Sequence, residues 1–323
     1  MLRQTFDGFP LASRGQIGDD MRHFTDLTDV TRDELAHILT EAARLKAARA
    51  RREPQDTLAR RQVALVFEKP SLRTRVSFEA AVNQLGGAAL FLPAQEVGLG
   101  WRESLADFAR TMGHYVDAMV LRVFKHTTVT GLAVASTIPI INGLSDVAHP
   151  CQAAADLLTI QEAFGPVKGR TVVFVGDGNN VARSLALGCG ILGATFRLSS
   201  PSGFGFDADF MSQCRKIAPH GIWDDEPDPT KAVRDADVLY TDVWTSMGQE
   251  AERDHRLQTF AAYQLNAALL AKAPKHAKVL HCLPAHRGEE ITDEVLDGPQ
   301  SLAFEQAGNR LHAQKAILEW LLK

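Results

Sequence analysis

The chain has 323 residues, of which 45% are hydrophobic and 23% are charged, and its formal net charge is -4. This composition is typical of a globular protein with a sizeable core, and the length indicates two domains. The charge excludes a general electrostatic attraction for nucleic acid, and no apolar run is long enough to span a membrane. The early acidic residues Asp7, Asp19 and Asp20 do not fit a signal or transit peptide, so we expect a cytoplasmic protein.

The four cysteines lie far apart in the sequence, at Cys151, Cys189, Cys214 and Cys282. Since no two of them form a C-x-x-C pair, the spacing excludes a local zinc knuckle. A disulfide framework is not expected either in a large chain of this class. The sequence therefore implies no metal.

The first half of the chain alternates between helix-like and strand-like patterns. Apolar residues recur at helical spacing from Leu35 to Leu45, and Thr31 and Glu34 before them have the spacing of a capping box. Pro139 lies within the apolar run Ile138–Ile141, so this strand is expected at a sheet edge or to start there. The other predicted elements are a strand through Val63, Leu65 and Phe67, a helix after it, a strand at Ala88–Leu92, a helix through Leu105, Phe108, Ala109 and Met112, and a buried strand at Val116–Val123.

A second alternating series begins near Thr171. Its predicted strands are Thr171–Val175, Thr195–Leu198, Asp237–Thr241 and Lys278–His281, and its predicted helices start at Asn180, lie near Asp209–Ile217 and cover Leu311–Leu322 at the C-terminus. The acidic stretch Asp224–Asp228 is interpreted as a solvated loop. Short apolar strands interleaved with helices indicate parallel sheets that are covered on both faces.

The predicted fold class is therefore α/β, with two doubly wound parallel-sheet domains joined by interdomain helices near Pro150 to Gly165. The domains are expected to span residues 1–150 and 151–323, with the C-terminal helix packing back on the first domain. Ligands of such sheets bind beyond the carboxyl ends of the strands, where the connections reverse direction. The polar residues that follow each strand are therefore the candidates for a functional site.

The segment Phe67–Glu79, with the sequence F-E-K-P-S-L-R-T-R-V-S-F-E, places two arginines and two hydroxyls where a helix begins. A helix N-terminus presents unpaired backbone N–H groups and the positive end of its dipole, so it attracts anions. The planar arginine fork matches phosphate. Taken alone, the segment is equally compatible with an ordinary helix cap.

Three further groups of polar residues follow predicted strands. His149 and Gln152 precede an apolar helix and can face a cleft, although a histidine before proline is more often a structural hydrogen-bonding group. Asp242 precedes the turn Ser246–Gly248, and its carboxylate suits either a cationic amine or a helix cap. Cys282 follows the strand Lys278–His281, and no activating base for it is identified by the sequence, so a small buried apolar role is the alternative.

The glycines Gly176 and Gly178 follow a strand and resemble the opening of a dinucleotide site. The fit is poor, because Val181 stands at the third glycine position and Ser199-Ser200 stand where an acid for the ribose is expected. A nicotinamide cofactor is therefore disfavoured. The glycines are expected to form a tight turn from which Asn179 or Asn180 reaches a small ligand.

Taken together and in this order, the motifs F-E-K-P-S-L-R-T-R-V-S-F-E, H-P-C-Q, G-D-G-N-N, D-V-W-T-S-M-G-Q-E and H-C-L-P resemble those of the ornithine carbamoyltransferases. The similarity runs from about Phe67 to the C-terminus and includes Ala307–Arg310. It implies an N-terminal carbamoyl-phosphate domain and a C-terminal L-ornithine domain that together form L-citrulline and phosphate, in arginine biosynthesis. It also implies no cofactor, and a homotrimer or a multiple of trimers.

The resemblance further implies roles for individual residues. The implied catalytic residues are Arg122, His149, Cys282 and Arg310. The implied carbamoyl-phosphate site consists of Ser71, Leu72 through its backbone, Arg73, Thr74, Arg122, His149, Gln152, Cys282, Leu283 and Arg310. The implied ornithine site consists of Asn180, Asp242, Ser246 and Met247, with Asp242 pairing with the α-ammonium group.

The sequence departs from the commonest family pattern at two positions. Leu72 stands where threonine is frequent, which is compatible with a contact made through the backbone. Gly98 stands where many members have a glutamine or histidine that reaches the phosphate of a neighbouring subunit. Trp101 and Arg102 are alternative donors for that contact, and a plain surface loop is the other interpretation.

Several other functions remain open at this point. A carbamoyltransferase for aspartate, putrescine or acetylornithine uses the same phosphate motif with a different acceptor. For a function as a nucleotide-dependent oxidoreductase, the only support in the sequence is the pair Gly176 and Gly178. A non-catalytic binding protein is expected to have lost Arg73 or His149, and both are present.

Overall fold

The structure, a computed structural model, describes residues 21–245 and 250–323. In the first half, a short 3-10 helix (Leu27–Asp29) precedes five α-helices and four strands. The helices are α1 (Arg32–Ala50), α2 (Leu72–Gln84), α3 (Ala94–Val97), α4 (Leu105–Met112) and α5 (His126–Ala135). The strands are β1 (Gln62–Phe67), β2 (Ala88–Pro93), β3 (Ala118–Arg122) and β4 (Ile140–Leu144).

The four strands form one parallel sheet in the order β2-β1-β3-β4. Alternate residues of β1 belong to opposite apolar clusters, Val63 and Leu65 to one and Ala64 and Val66 to the other. Both faces of the sheet are therefore covered, which explains why the strand shows no polar alternation. As predicted, β4 is an edge strand that begins directly after Pro139.

The helix predicted after Thr31 is also confirmed. The Thr31 hydroxyl accepts the N–H of Glu34 at 3.2 Å, and the Glu34 carboxylate accepts the N–H of Thr31 at 2.9 Å. This reciprocal capping box satisfies donors at the start of α1. Leu35, Ile38 and Leu45 then lie on its buried face.

The second half carries five strands and eight α-helices within its described residues. The helices are α6 (Pro150–Phe164), α7 (Asn180–Leu192), α8 (Ala208–Ile217), α9 (Pro229–Ala232), α10 (Arg253–Phe260), α11 (Ala267–Leu270), α12 (Asp293–Leu296) and α13 (Ala303–Leu322), with 3-10 helices at Glu250–Glu252 and Ala261–Tyr263. The strands are β5 (Thr171–Val175), β6 (Thr195–Ser199), β7 (Ile222–Asp225), β8 (Val238–Thr241) and β9 (Lys278–His281). They form a second parallel sheet in the order β7-β6-β5-β8-β9. The predicted fold class, α/β with two doubly wound parallel sheets, is therefore confirmed.

Two local predictions in the second half are wrong. The stretch Asp224–Asp228 is only partly a loop, because Asp224 and Asp225 belong to the edge strand β7. Its acidic residues are exposed, so the strand lacks an apolar signature. The C-terminal helix begins at Ala303 instead of near Leu311. The prediction missed its first turns because they bury polar side chains, among them Gln306 and Arg310, which interrupt the apolar period.

Two long helices lie at the centre of the molecule. The helix α13 packs against α6, α1 and α2, and α6 also packs against α7. Since α2 connects strands of the first sheet and α7 connects strands of the second, these contacts join elements of both sheets. No helix in the described ranges is long and apolar enough to cross a membrane.

The order of the strands places one switch point in each sheet. In the first sheet the chain connections leave β1 and β3 in opposite directions, and in the second they do so at β5 and β8. Ligands bind in the crevice that forms beyond the carboxyl ends of such strand pairs. The residues at or beyond the carboxyl ends of these four strands are Ser71 to Thr74, Arg122, Asn179 and Asn180, and Asp242.

Candidate active site

The first group of candidate residues lies at the N-terminus of α2, directly after β1. Ser71 is the N-cap, and its hydroxyl accepts the N–H of Thr74 at 3.3 Å. Leu72 begins the helix, and its side chain is 76% exposed, so only its backbone faces the helix end. Arg73 follows it and is half-buried. The backbone N–H groups of such a helix start suit an anion, and the phosphate site at this place stays a prediction.

Arg122 lies beside this helix start. It is the last residue of β3 and pairs in register with Phe67, the last residue of β1. Its side chain is buried, and its Nε atom has no hydrogen-bond partner among the described residues. Burial, together with the charges of Arg310 and Arg73, lowers the pKa of Arg122 to about 10. Arg122 therefore remains a cation at neutral pH, and a buried cation requires an anionic partner.

Arg310 connects the first group to the helix α6. Its Nη2 donates to Thr74 Oγ1 at 2.9 Å, and its Nη1 donates to Gln152 Oε1 at 3.0 Å. The predicted helix Leu311–Leu322 left Arg310 just outside it, and this is wrong, since Arg310 lies within α13. This position holds the guanidinium rigidly between α2 and α6.

His149 stands immediately before α6 and is buried in the same region. Its N–H donates to Ser184 Oγ on α7 at 2.8 Å, whereas its Nδ1 has no partner within the described part of the chain. Burial, followed by the charges of Arg310 and Arg122, lowers the pKa of His149 well below its usual range. The imidazole is therefore neutral at physiological pH and can donate one hydrogen bond without adding charge.

Asp242 is the centre of a second group of residues, at the carboxyl ends of the second sheet. Its carboxylate accepts Asn179 Nδ2 at 2.9 Å, Cys282 Sγ at 2.9 Å and the N–H of Val243 at 2.8 Å. Asn179 follows β5, Asp242 follows β8 and Cys282 follows β9, so three strand ends contribute. This arrangement fixes the direction in which the carboxylate faces.

The Cys282 thiol is held in its protonated form. Burial, followed by the nearby Asp242 carboxylate, raises the pKa of Cys282 well above its usual range. The thiol also interacts electrostatically with Arg122 and Arg310. Cys282 therefore lies within electrostatic range of these two arginines, and it is hydrogen-bonded to Asp242.

Asn180 starts the helix α7 and contacts the loop that precedes His149. Its Nδ2 donates to the carbonyl of Ser145 at 2.6 Å. The two asparagines after β5 therefore have different partners: Asn179 donates to Asp242, and Asn180 donates to Ser145. The predicted ornithine residues Ser246 and Met247 lie outside the residues that the structure describes.

A buried arginine that the sequence analysis missed braces this second group. Arg256, on α10, forms an ion pair with Asp177 in the loop after β5, and it donates to the carbonyl of Trp244 after β8. Its guanidinium also lies over the ring of Phe204, 4.9 Å from the centroid. No sequence signal marked Arg256, because it lies in a mostly polar, exposed helix.

His281 and Glu290 form a second pair that the sequence analysis missed. Both side chains are fully buried, and His281 Nε2 lies 3.0 Å from Glu290 Oε1. His281 Nδ1 accepts the N–H of Leu283 at 2.9 Å, so the proton of the neutral ring must be on Nε2. The contact holds Leu283 at a φ of 55°, a conformation that a non-glycine residue rarely adopts. The buried His281–Glu290 pair therefore fixes the backbone conformation of the segment Cys282–Leu283.

The loop at Gly98 explains why a glycine replaces the larger residue expected there. Gly98 has a φ of 68°, and a Cβ at this position would meet the Arg102 side chain at 2.5 Å. Its carbonyl accepts the N–H groups of Trp101 and Arg102 at 3.1 and 2.9 Å. The tight turn leaves Trp101 and Arg102 exposed at its tip.

Two groups of potential metal ligands occur among the described residues. One consists of Asp242, His281 and Cys282, and the other of His286, Glu289 and Glu290, each with donor atoms within 4.8 Å of one another. In the first group the thiol is bonded to Asp242 and the imidazole to Glu290. These donors therefore already have partners within the protein.

Comparison with known proteins identifies the family. Residues 22–162 match the family model described as aspartate/ornithine carbamoyltransferase, carbamoyl-P binding domain. Residues 168–321 match the model described as aspartate/ornithine carbamoyltransferase, Asp/Orn binding domain. Together, the two matches cover most of the chain.

Relatives of known name are similar over nearly their whole length. The ornithine carbamoyltransferase of Archaeoglobus fulgidus is 47% identical over 94% of this chain and 98% of its own. The anabolic ornithine carbamoyltransferase of Pyrococcus furiosus is 48% identical over 90% of this chain and 93% of its own. A solved structure of ornithine carbamoyltransferase from Pyrococcus furiosus superposes with a TM-score of 0.90, at 47% identity, over 93% of this chain and 97% of that one. The chain therefore belongs to the ornithine carbamoyltransferases, within the aspartate/ornithine carbamoyltransferase family.

Proposed function

We propose that this enzyme transfers the carbamoyl group of carbamoyl phosphate to the side-chain amine of L-ornithine, which gives L-citrulline and phosphate. The observation that carries the proposal is the hydrogen bond from Cys282 to the Asp242 carboxylate, because the same thiol also interacts electrostatically with the buried Arg122. The proposed domains are residues 1–150 for carbamoyl phosphate and 151–323 for ornithine.

The phosphate of carbamoyl phosphate binds at the start of α2. Ser71, Arg73 and Thr74, with the backbone N–H of Leu72, provide its donors in this proposal, and Arg122 bridges the phosphate and the carbamoyl oxygen. The anion compensates the charge that is buried at Arg122, whose Nε has no partner within the described residues. Charge-assisted hydrogen bonds of this kind are shorter and stronger than neutral ones.

The carbamoyl group lies against His149, Gln152 and Arg310, below the backbone of Cys282 and Leu283. As the amine attacks the carbamoyl carbon, negative charge builds on the carbamoyl oxygen. Arg122, Arg310 and neutral His149 act as donors to that oxygen, and the loss of one such donor typically costs about 3–4 kcal/mol in the transition state. Since the Arg310 side chain is already held by Thr74 and Gln152, it needs little reorganisation during the reaction.

The reaction is a direct displacement. The lone pair of the neutral amine forms the new C–N bond, the bond from carbon to the phosphate oxygen breaks, and the departing phosphate takes the amine proton. A lysine-like amine has a pKa of about 10.4 in water, and desolvation beside arginines lowers it. Because the raised pKa keeps Cys282 protonated, the thiol is a poor nucleophile, which supports attack by the amine itself.

Ornithine is the acceptor that fits the second group of residues. Asp242 pairs with the α-ammonium group, while Asn180 and the N–H of Met247 serve the α-carboxylate. Ser246 also belongs to this proposed site. Aspartate requires cationic groups for a second carboxylate, and acetylornithine lacks the α-ammonium that Asp242 would meet. Putrescine has no α-carboxylate. These three amines are therefore the weaker candidates.

The cellular role and assembly are part of the same proposal. We assign the enzyme to arginine biosynthesis in the cytoplasm, a role consistent with the word anabolic in the name of the Pyrococcus furiosus relative.

We also propose that the enzyme assembles as a homotrimer or a multiple of trimers. The exposed apolar side chains of Leu72, Val76, Leu90 and Trp101, all in the first sheet's domain, are consistent with burial against another subunit. Light scattering should then give a mass that is a multiple of three chains, and a monomer would contradict this assignment.

A substrate panel tests the proposed function. The purified enzyme is incubated with carbamoyl phosphate and with L-ornithine, L-aspartate, putrescine or N-acetylornithine in turn, and both the carbamoylated product and phosphate are measured. We expect citrulline and phosphate in equal amounts with ornithine, and little product with the others. Carbamoylation of another amine without citrulline formation would overturn the proposal.

A further inference from the structure

A buried carboxylate connects the two halves of the active site. Asp156 lies on α6 one turn after Gln152, and Gln306 lies on α13 one turn before Arg310. Asp156 and both glutamines are fully buried. Asp156 makes none of the substrate contacts in the proposed function, so its presence in the core calls for another role.

The contacts of Asp156 run in two directions. Its Oδ1 accepts Gln152 Nε2 at 2.8 Å and Gln306 Nε2 at 2.6 Å. Toward the phosphate side, Gln152 Oε1 accepts Arg310 Nη1 at 3.0 Å, and Arg310 Nη2 donates to Thr74 at 2.9 Å. Toward the amino-acid side, Gln306 Oε1 accepts the N–H of His281 at 2.9 Å, immediately before Cys282.

The chemistry of these groups fixes the direction of every bond. An ionised carboxylate only accepts, a guanidinium and a backbone N–H only donate, and an amide has one end of each kind. With a carboxylate at Asp156, both glutamines must turn their Nε2 groups toward it and their Oε1 atoms outward. The outward oxygens then meet Arg310 on one side and the His281 N–H on the other. Both glutamines donate to the same oxygen, Oδ1, and Oδ2 has no partner within the described residues. A neutral amide oxygen accepts more weakly than a carboxylate oxygen, and the amide also has a donor that can turn toward the two glutamine N–H groups, where it finds no acceptor.

We propose that Asp156, acting through Gln152 and Gln306, is the positioning residue that orients Arg310 and the His281–Cys282 segment for carbamoyl transfer. The proposal rests on the function proposed above. It predicts that Asp156 affects turnover more than the affinity for ornithine, because Gln152 and Arg310 face the carbamoyl group, whereas Asp156 makes no hydrogen bond to Asp242 or Asn180 among the described residues. A misplacement of about 1 Å in such a site can cost on the order of 100-fold in rate.

The state of ionisation of Asp156 supports this role. Burial raises the pKa of Asp156 to about 7, against hydrogen bonds from Gln152, Gln306 and Tyr240 and the charge of Arg310. The other titratable groups that interact with it are Cys189 on α7 and Cys282 after β9, and burial raises the pKa of each thiol. The carboxylate is therefore mostly ionised above neutral pH and mostly protonated in mild acid, where the neutral group accepts the two amide donors more weakly.

The isosteric variant Asp156→Asn tests the proposal, with Thr159→Val as a matched control. Thr159 lies one turn further along α6 and accepts Asn309 Nδ2 from α13 at 3.0 Å, so the control removes a buried bond between the same two helices. We expect kcat to fall roughly 10- to 100-fold in Asp156→Asn, with the KM for ornithine changed much less. We expect Thr159→Val to keep the kcat of the unsubstituted enzyme.

A second variant restores the direction of the bonds. In the double variant Asp156→Asn, Gln306→Glu, a rotation of the new amide group lets its oxygen accept from Gln152 and its Nδ2 donate to the new carboxylate, which still accepts the His281 N–H. We expect the double variant to recover kcat at least several-fold over Asp156→Asn. Should Asp156→Asn fail to fold, the double variant alone decides: folded and active protein supports the proposal, and unfolded or inactive protein overturns it.

The outcomes separate this proposal from the proposed function. The ratio of kcat between the unsubstituted enzyme and Asp156→Asn should rise from pH 6 to pH 8, and ionisation of the substrate amine cancels in that ratio. Three outcomes would each overturn the positioning role. Asp156→Asn could keep a full kcat, it could lose no more kcat than Thr159→Val, or the double variant could have a kcat no higher than that of Asp156→Asn. If the unsubstituted enzyme makes no citrulline, the proposed function fails by itself, and the same comparison is then made with whichever amine it carbamoylates.

Discussion

The Cys282 thiol donates a hydrogen bond to Asp242 Oδ1 at 2.9 Å, although the two residues are 40 positions apart in the chain. The bond exists because β8 and β9 are neighbouring parallel strands whose carboxyl ends coincide, with Thr241 opposite His281. It joins a carboxylate suited to an amino acid with a thiol in range of the buried arginines. The relationship also determines what chemistry the cysteine can do.

We expect Cys282 to react slowly with alkylating agents and to make no covalent intermediate. Burial and the Asp242 carboxylate raise the pKa of Cys282 well above its usual range, so little thiolate exists at pH 8. Mass spectrometry after exposure to iodoacetamide at pH 8 should find Cys282 largely unmodified in the folded protein. Cys282→Ser keeps a donor toward Asp242 and should retain at least a few per cent of kcat. Rapid modification, or a carbamoylated Cys282 trapped during turnover, would contradict this.

Asp242→Ala should mainly raise the KM for ornithine. The substitution removes the carboxylate that is proposed to pair with the α-ammonium group, and a hydrogen bond to a charged group is worth about 1.5–3 kcal/mol, or roughly 10- to 150-fold in affinity. Steady-state kinetics at saturating carbamoyl phosphate measure the change. Asp209→Ala, at an exposed position of α8, is the control and should leave both constants unchanged.

The complementary prediction concerns carbamoyl phosphate. Arg73→Ala should raise the KM for carbamoyl phosphate by a similar factor, because a charged donor to the phosphate is lost, while ornithine is affected less. If Arg73→Ala acted on ornithine and Asp242→Ala acted on carbamoyl phosphate, the assignment of the two domains to the two substrates would be wrong.

Leu72→Thr tests whether the unusual residue in the phosphate segment matters. The Leu72 side chain is 76% exposed at the start of α2, so in the proposed phosphate site Leu72 contributes only its backbone. We expect the KM for carbamoyl phosphate to stay within about twofold, since exposed substitutions away from special features change free energies by roughly 0.5 kcal/mol or less. A tenfold change would show that the side chain takes part, either directly or through a neighbouring subunit.

The sequence predicted the strand ends well and the helix interior poorly. Apolar runs mark β5 and β8 because both faces of a parallel sheet are buried, and so the positions after them, such as Asn180 and Asp242, could be found in advance. The contact between Asn179 and Asp242 could not, because it depends on which strands are neighbours. Asp156 and Gln306 escaped notice for another reason. Inside a helix they resemble ordinary surface residues, and only the packing of α6 against α13 buries them.

The raised pKa of Asp156 leads to a prediction about stability that runs opposite to its role in turnover. Burial raises this pKa from about 3.8 to about 7 in the folded protein. Between these values the folded state holds the proton and the unfolded state has released it, so the free energy of unfolding falls as the pH rises. Three pH units correspond to about 4 kcal/mol. Asn cannot titrate, so Asp156→Asn should gain stability relative to the unsubstituted enzyme by up to this amount between about pH 4 and pH 8.

Urea unfolding of both proteins at pH 5 and at pH 8 measures this difference, and Thr159→Val serves again as the control because it removes a bond without removing a titrating group. Changes in other ionisations are common to the proteins and cancel in the comparison. We expect the free energy of unfolding of Asp156→Asn, relative to that of the unsubstituted enzyme, to be higher at pH 8 than at pH 5. The corresponding difference for Thr159→Val should be the same at both pH values. A difference that is the same at both pH values would mean that Asp156 keeps an ordinary pKa. In that case the fall in the kcat ratio below pH 7 would also be absent, because the carboxylate would remain ionised and hold both glutamines throughout.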